Sequence, residues 1–257
     1  MHPLAQVIAA LLLLLYSLLS QAGDRINISS GPSPTPVLEL FTSQGCSSCP
    51  PADRWLSGLR EHPQLWHGLI PLAFHVDYWD RLGWPDPFAN PSHSARQRGY
   101  ARRGASGAVY TPGFILAGRE WRGWFRGLPL SLPKSTEVGS LTLQLDGDRL
   151  TLTFLPSTTA PTDLTAHVAR LGFGLHTEVA HGENAGRELR HDFVVLSLQQ
   201  IAPSKRHHWQ TRLLPDTRGE RQAIVVWLSA PGQLAPYQAV GGWLPASAPS
   251  ESNSQRR

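Results

Sequence analysis

The chain has 257 residues, 41% of them hydrophobic, with nine tryptophans, two cysteines and a formal net charge of +4. That is enough apolar material for one large or two small cores. The modest charge comes from arginine, with Lys134 and Lys205 the only lysines. It excludes a polybasic protein, and it gives no case for a nucleic-acid partner.

Val7 to Leu19 is an apolar run of secretory length, shorter than the roughly 20 residues of a membrane span. Ser20-Gln21-Ala22 follows it as a small-x-small cleavage site. Residues 1–22 therefore read as a signal peptide, and the protein as secreted or periplasmic. No Lys or Arg precedes the run, so an uncleaved anchor stays open as the one route to a membrane. Residues 23–36, with Pro32, Pro34 and Pro36, read as a linker. Val37 to Thr42, "VLELFT", is a buried strand by its length and flanking turn residues. Ser47 to Arg60 is a helix with Pro50 and Pro51 in its first turn, where they are tolerated. Leu69 to Val76 is a second buried strand.

Asp77 to Asn90 is an aromatic loop carrying Tyr78, Trp79, Trp84 and Phe88, read as loop core. Ser92 caps a helix to about Arg103. Its Arg96, Arg98, Arg102 and Arg103 read as a solvated face. Strands at Gly113–Ala117 and Glu120–Phe125 complete a small α/β unit. From Ser140 the apolar period becomes two, turning at Asp146-Gly147-Asp148, a hairpin signal. Strand-like runs at 164–171, 176–180, 188–196, 208–214 and 224–228 predict an antiparallel, sandwich-like β region over 140–245. Residues 246–257 read as a disordered tail.

Cys46 and Cys49 are the only cysteines, two residues apart between a buried strand and a helix. Three readings are open: a redox pair, metal ligands or an inert staple. A bridge closing so small a loop constrains the unfolded chain little, which weakens the staple. Placement at a helix N-terminus favours a thiolate on Cys46, through unpaired amides and the helix dipole. Cys46 would then attack a disulfide and Cys49 resolve the mixed species.

"LELFTSQGCSSCPPAD", "PLAFHVDYWDRLGWPDPF", "ARQRGYARR", "VYTPGFILAGREW" and "HGENAGRELRHDFVV" resemble the secreted bacterial family catalogued as domain of unknown function 1223. The resemblance implies an α/β thioredoxin-like domain over 37–127, followed by the β region, α+β overall. It also implies a cis peptide bond between Thr111 and Pro112 facing the cysteines, with Thr111 and Pro112 beside the substrate. Residues 127–139, with Pro129 and Pro133, depart from the fold by lacking its closing helix.

Glu39, His75 and Asp77 are the candidate tuning groups. Glu39 sits in an apolar strand, as a proton shuttle to Cys49 or as half of an ion pair with an arginine. His75 and Asp77 end the second strand, where they tune the thiols, ligate a metal or tie down the aromatic loop. His176, His181 and His191 read as surface histidines. The leading function is a thiol–disulfide oxidoreductase acting on protein or small-molecule disulfides without a cofactor. The alternatives are a copper-binding module and a non-enzymatic partner-binding protein with a structural bridge. Nothing in the sequence fixes an oligomeric state.

Overall fold

The computed structural model describes residues 25–134, 136–157 and 159–245. The expected signal peptide and tail lie outside these residues.

The strands are β1 (Ile26–Ser29), β2 (Val37–Thr42), β3 (Ile70–His75), β4 (Gly113–Leu116), β5 (Arg119–Glu120), β6 (Gly139–Asp146) and β7 (Arg149–Pro156). They continue with β8 (Thr165–Phe173), β9 (Leu175–Glu178), β10 (Glu188–His191), β11 (Val194–Ile201), β12 (His208–Arg212), β13 (Arg221–Ser229) and β14 (Pro236–Trp243). Two α-helices, α1 (Pro50–Gly58) and α2 (Pro91–Arg102), interrupt the first half. Among the described residues β-structure predominates, with 40% strand against 14% helix.

This corrects the expected fold class. The chain does not form an α/β thioredoxin-like unit beside a separate sandwich. An eight-stranded sheet runs through both halves in the order β14-β13-β8-β11-β3-β2-β4-β5. The seam is short: β11 meets β3 in parallel at Val194↔Ala73, and the Ala73 amide donates to Phe193 O at 2.9 Å. Strands from the C-terminal half thus extend the N-terminal sheet. Among the described residues of 127–139 there is no helix.

A four-stranded sheet, β1-β6-β7-β12, lies against the C-terminal half. Its leucines 141, 143, 145, 150 and 152, with Phe154, are buried against Val168, Ile224, Val226 and Val240. The β6–β7 hairpin turns where the sequence placed it, pairing Asp146 with Arg149. The expected linker holds β1, which pairs with β6 because Ile26 and Ile28 alternate toward that core. The expected strand 188–196 is two strands, broken where Phe193 takes φ 59°. The β4–β5 turn uses Ala117 and Gly118 at φ 47° and 82°, the left-handed pair of a tight hairpin.

β2 is buried on both faces, and its alternation sorts the site. Glu39 and Phe41 face α2, where Phe41 stacks on Phe74 at 5.6 Å and meets Tyr100. Leu40 and Thr42 face the other way, in register with Ala73 and His75 of β3. Leu40 also opposes Phe114 of β4, against which Trp55 of α1 packs edge-on. Thr42 and His75 therefore project toward the α1 side of the sheet.

Candidate functional site

α1 begins directly after the cysteine pair, and the sequence there sets unusual terms. Pro50 and Pro51 occupy the first two helical positions and bring no amide hydrogens. The next amides, of Ala52 and Asp53, both donate to the Cys49 carbonyl, at 2.8 and 3.1 Å. The expected row of free amides beneath Cys46 is thus largely spent. Ser48 Oγ lies 3.4 Å from its sulfur.

Cys46 and Cys49 form a disulfide with a Cα–Cα distance of 5.4 Å. Both residues are fully buried, although Ser47 and Ser48 between them are exposed. The cover comes from the far half of the chain. β9 and β10 form a two-stranded arm of their own, whose loop, residues 179–187, lies on the cysteine turn. Asn184, fully buried, donates from Nδ2 to Gln44 O at 2.8 Å and to Cys46 O at 3.0 Å. Glu183 accepts from the Ser47 amide at 2.9 Å, and the Ser47 side chain, with that amide, holds its carboxyl below the usual range.

The Thr111–Pro112 bond is cis. Trp79 connects it to the cysteine turn, donating from Nε1 to Thr111 Oγ1 at 2.8 Å. Gly45 makes room for that tryptophan, since a Cβ there would come within 3.0 Å of Trp79 Cβ.

The three expected tuning groups separate. Glu39 pairs with Arg96, through Nε–Oε2 at 2.6 Å and Nη2–Oε1 at 2.9 Å, and accepts from Tyr100 OH. That pair is on the α2 face, opposite the one bearing Thr42 and His75, so Glu39 has a structural partner. Arg96 is itself buried, stacked over Phe74, Tyr100 and Trp227. Of the expected solvated run, Arg96 is therefore the exception. Asp77 is bound to Ser94 of α2. Only His75 reaches the region under α1. His191, read as a surface residue, is buried there beside it, ring centroids 4.8 Å apart.

Five groups the sequence did not single out complete this cluster: Thr42, Gln44, Asp53, Asp86 and, from the arm, Asn184. Asp86 Oδ2 accepts from the Gln44 amide at 2.8 Å and bonds His75 Nδ1 at 2.7 Å. Burial works against a charged His75, but Asp86 outweighs it, and the histidine pKa is raised. Burial likewise works against Asp86, yet His75 brings its carboxyl below the usual value. The two form a buried ion pair. Asp53, one turn after Cys49 on the same helical face, has its pKa pushed up to about 6, burial outweighing the pull of His75 and Thr42. Burial, with His75 adding to it, depresses His191 to about 3.

The tautomer of His191 follows from its neighbours. Trp84 Nε1–H can only donate, and it donates to Gln44 Oε1 at 3.0 Å. The Gln44 amide nitrogen therefore donates to Thr177 Oγ1 and to His191 Nε2, at 3.0 and 3.2 Å. Neutral His191 then carries its proton on Nδ1, which faces Asp53 Oδ2 across 3.9 Å. Among the described residues, Thr42 Oγ1, Asp53 Oδ2, His75 Nε2 and His191 Nδ1 are buried with no hydrogen-bond partner. Beside them a groove of about 190 Å³ opens between α1 and β10, lined by Pro50, Asp53, Arg54, Leu189, Arg190 and His191. No group of three or more His, Cys, Asp or Glu among the described residues is arranged to hold a metal ion.

Residues 37–229 match the family model described as protein of unknown function, DUF1223. The chain belongs to this family. No curated protein matches it. Two solved structures share its fold at a TM-score of 0.55 each. One is protein AGR_C_4864 from Agrobacterium tumefaciens, at 22% identity over 89% of this chain and 99% of that one. The other is HBP35 of Porphyromonas gingivalis, at 13% identity over 89% of this chain and 81% of that one. The β9–β10 arm and the cysteine turn both lie inside the span matched by the DUF1223 model.

Proposed function

We propose that this DUF1223 protein is an exported thiol–disulfide oxidoreductase acting on protein or small-molecule disulfides. Cys46 is its nucleophile and Cys49 its resolving thiol, with Thr111 and Pro112 beside the client. The observation that carries this reading is the buried polar cluster beneath α1, which Asp53 joins one turn after Cys49. Four buried polar atoms there lack protein partners, and each such atom costs about 1–3 kcal/mol. A crosslink closing so short a loop contributes little stability and needs no titratable groups beneath it. Perturbed groups gathered under a reactive bond are instead the usual mark of a working site.

In this reading the arm is a cover that lifts. With it docked, Cys46 is buried and Glu183 holds the Ser47 amide, leaving a negative charge beside the sulfur that must ionise. With it raised, the carboxylate leaves, and Ser48, already 3.4 Å from the sulfur, bonds the thiolate. The test is a measured reduction potential with exchange against glutathione disulfide and insulin, comparing wild type with Cys46→Ser. Exchange by wild type alone supports the assignment. A native bridge that resists millimolar dithiothreitol and exchanges with nothing rejects it.

The complete burial of both cysteines favours a second reading, a partner-binding protein whose bridge is structural. It requires the Cys46→Ser/Cys49→Ser protein to keep full stability and every interaction of the parent.

A further inference from the structure

We propose that the surface formed by Tyr110, Arg122, Phe125 and Leu128 binds an extended client polypeptide in which apolar side chains alternate with acidic ones. The binding stands by itself, while its purpose, bringing the client to Cys46, rests on the redox reading above.

Among the described residues six large hydrophobic side chains are exposed, and three of them, Val109, Phe125 and Leu128, fall in one short stretch of chain. Single exposures scattered over a surface are ordinary, but a contiguous apolar patch marks an interaction site. The rings make this one contiguous. Tyr110 and Phe125 have their centroids 6.2 Å apart, and Phe125 stands edge-on to Trp124 at 5.1 Å. Trp124 packs in turn on buried Phe114, which ties the patch to the sheet. Phe125 is carried on a single 3-10 turn, Trp124–Arg126, closed by Gly127 at φ 62°. The Leu128 amide then donates to Gly123 O at 3.0 Å. Phe125, 45% exposed, and Leu128, 48% exposed, are thus presented on a braced turn, so binding costs little ordering.

Electrostatics selects the occupant. Glu120 is the only acid between Gly104 and Lys134, and it is already committed. Its Oε1 accepts from Tyr110 OH at 2.6 Å and its Oε2 from the Gly107 amide at 3.2 Å. Arg122 lies 3.8 Å from that carboxylate, beyond a hydrogen bond, and its side chain is 65% exposed. The guanidinium is 5.9 Å from the Tyr110 ring and 5.9 Å from the Phe125 ring, within cation–π range of both. Arg126, exposed on the same turn as Phe125, adds a second positive charge. A cation held among exposed rings fits a partner that brings carboxylates and apolar side chains together. A basic segment would meet like charge, and a wholly polar one would leave the rings in water.

Position links the patch to the disulfide. Tyr110 precedes Thr111, whose Oγ1 accepts from Trp79 Nε1 at 2.8 Å, and Trp79 lies against Gly45, next to Cys46. A chain laid along Phe125, Tyr110 and Thr111 therefore runs toward the cysteine turn. The patch is exposed while the arm is docked, so a client binds before the sulfurs are uncovered.

The test is binding of cysteine-free peptides to the oxidised full chain, read by fluorescence anisotropy. One peptide alternates Leu, Phe and Glu, a second has Lys in place of Glu, and a third has Ser in place of Leu and Phe. The first should bind about tenfold tighter than either of the others. Arg122→Glu should reverse the order of the first two, and Phe125→Ser should weaken the first about tenfold. Both side chains are exposed, and circular dichroism checks that each variant is folded. Equal affinity for all three peptides, or no effect of either variant, overturns the proposal. A dimer that Phe125→Ser dissociates, or anionic vesicles that displace the peptide, would also overturn it, giving the surface to a second copy or to a lipid. Peptide binding without exchange of glutathione disulfide keeps the surface and removes the redox reading. Exchange without peptide binding does the reverse.

Discussion

Glu39 and Arg96 show how strongly one buried charge constrains its surroundings. The carboxylate is fully buried and has Arg96 and Tyr100 as its partners. Arg96→Met would leave it uncompensated, and the expected loss is about 3–5 kcal/mol, read from the denaturant midpoint. Titration gives a second prediction. Burial depresses His93 to about 4, His167 to about 3 and His191 to about 3. Their unfolded forms take up protons that the native chain refuses, so this stability is present above pH 6.5 and is lost as pH falls. Asp53 runs the other way: its folded value of about 6 stabilises the native state below the unfolded value near 4 and fades as pH rises through 6. Near pH 5 three histidines oppose one aspartate, so unfolding takes up about two protons net. Asp53→Asn should raise that to about three, measured as the slope of unfolding free energy against pH. The cysteine pair was legible from its residue type, and the cis Thr111–Pro112 bond only through the family resemblance. Asp53 was not, because an acid in a helical first turn reads as a partner for the dipole. His191 looked superficial because the partner that buries it, His75, lies on a strand 116 positions away.

Among the elements, the β9–β10 arm has the largest consequence for its size. Its hold on the cysteine turn includes the two Asn184 hydrogen bonds to Gln44 O and Cys46 O, beside those of Thr177, Glu183 and His191. Asn184→Ala removes both, at about 1 kcal/mol each, and should open the turn about tenfold to thirtyfold more often. Hydrogen exchange at the Ser47 amide reads that opening directly. Faster reduction of the disulfide should follow in proportion, and unchanged exchange would show that the arm is held by other contacts. Regular elements were readable where the chain repeats a clear period. The β6–β7 hairpin fell at its Asp-Gly signal, and α1 followed the double proline. α2 starts two residues earlier than expected, because Asn90 rather than Ser92 caps it, accepting from the Ser92 amide at 2.9 Å. The arm could not be read this way. Each of its strands has four residues, and its role comes from side chains meeting a turn that no local period encodes.

For the molecule as a whole, the seam between β3 and β11 decides how it unfolds. The N-terminal strands do not make a finished layer, since β3 is flanked by β2 on one side and β11 on the other. Far-ultraviolet circular dichroism and tryptophan fluorescence should therefore trace one coincident unfolding transition. A fragment of residues 25–127 should not fold, because it would expose the β3 edge and the face that Phe193 and Trp227 cover. Two separate transitions, or a folded fragment, would contradict this. The sequence pointed to two regions because the period changes near residue 140, and it held no sign that the later strands would join the earlier sheet. The arm also bears on biosynthesis. Asn184 follows Cys46 by 138 residues, so the sulfurs leave the ribosome long before their cover exists. The oxidation state reached when the last strands arrive is the one first enclosed, and only movement of the arm exposes it to later clients.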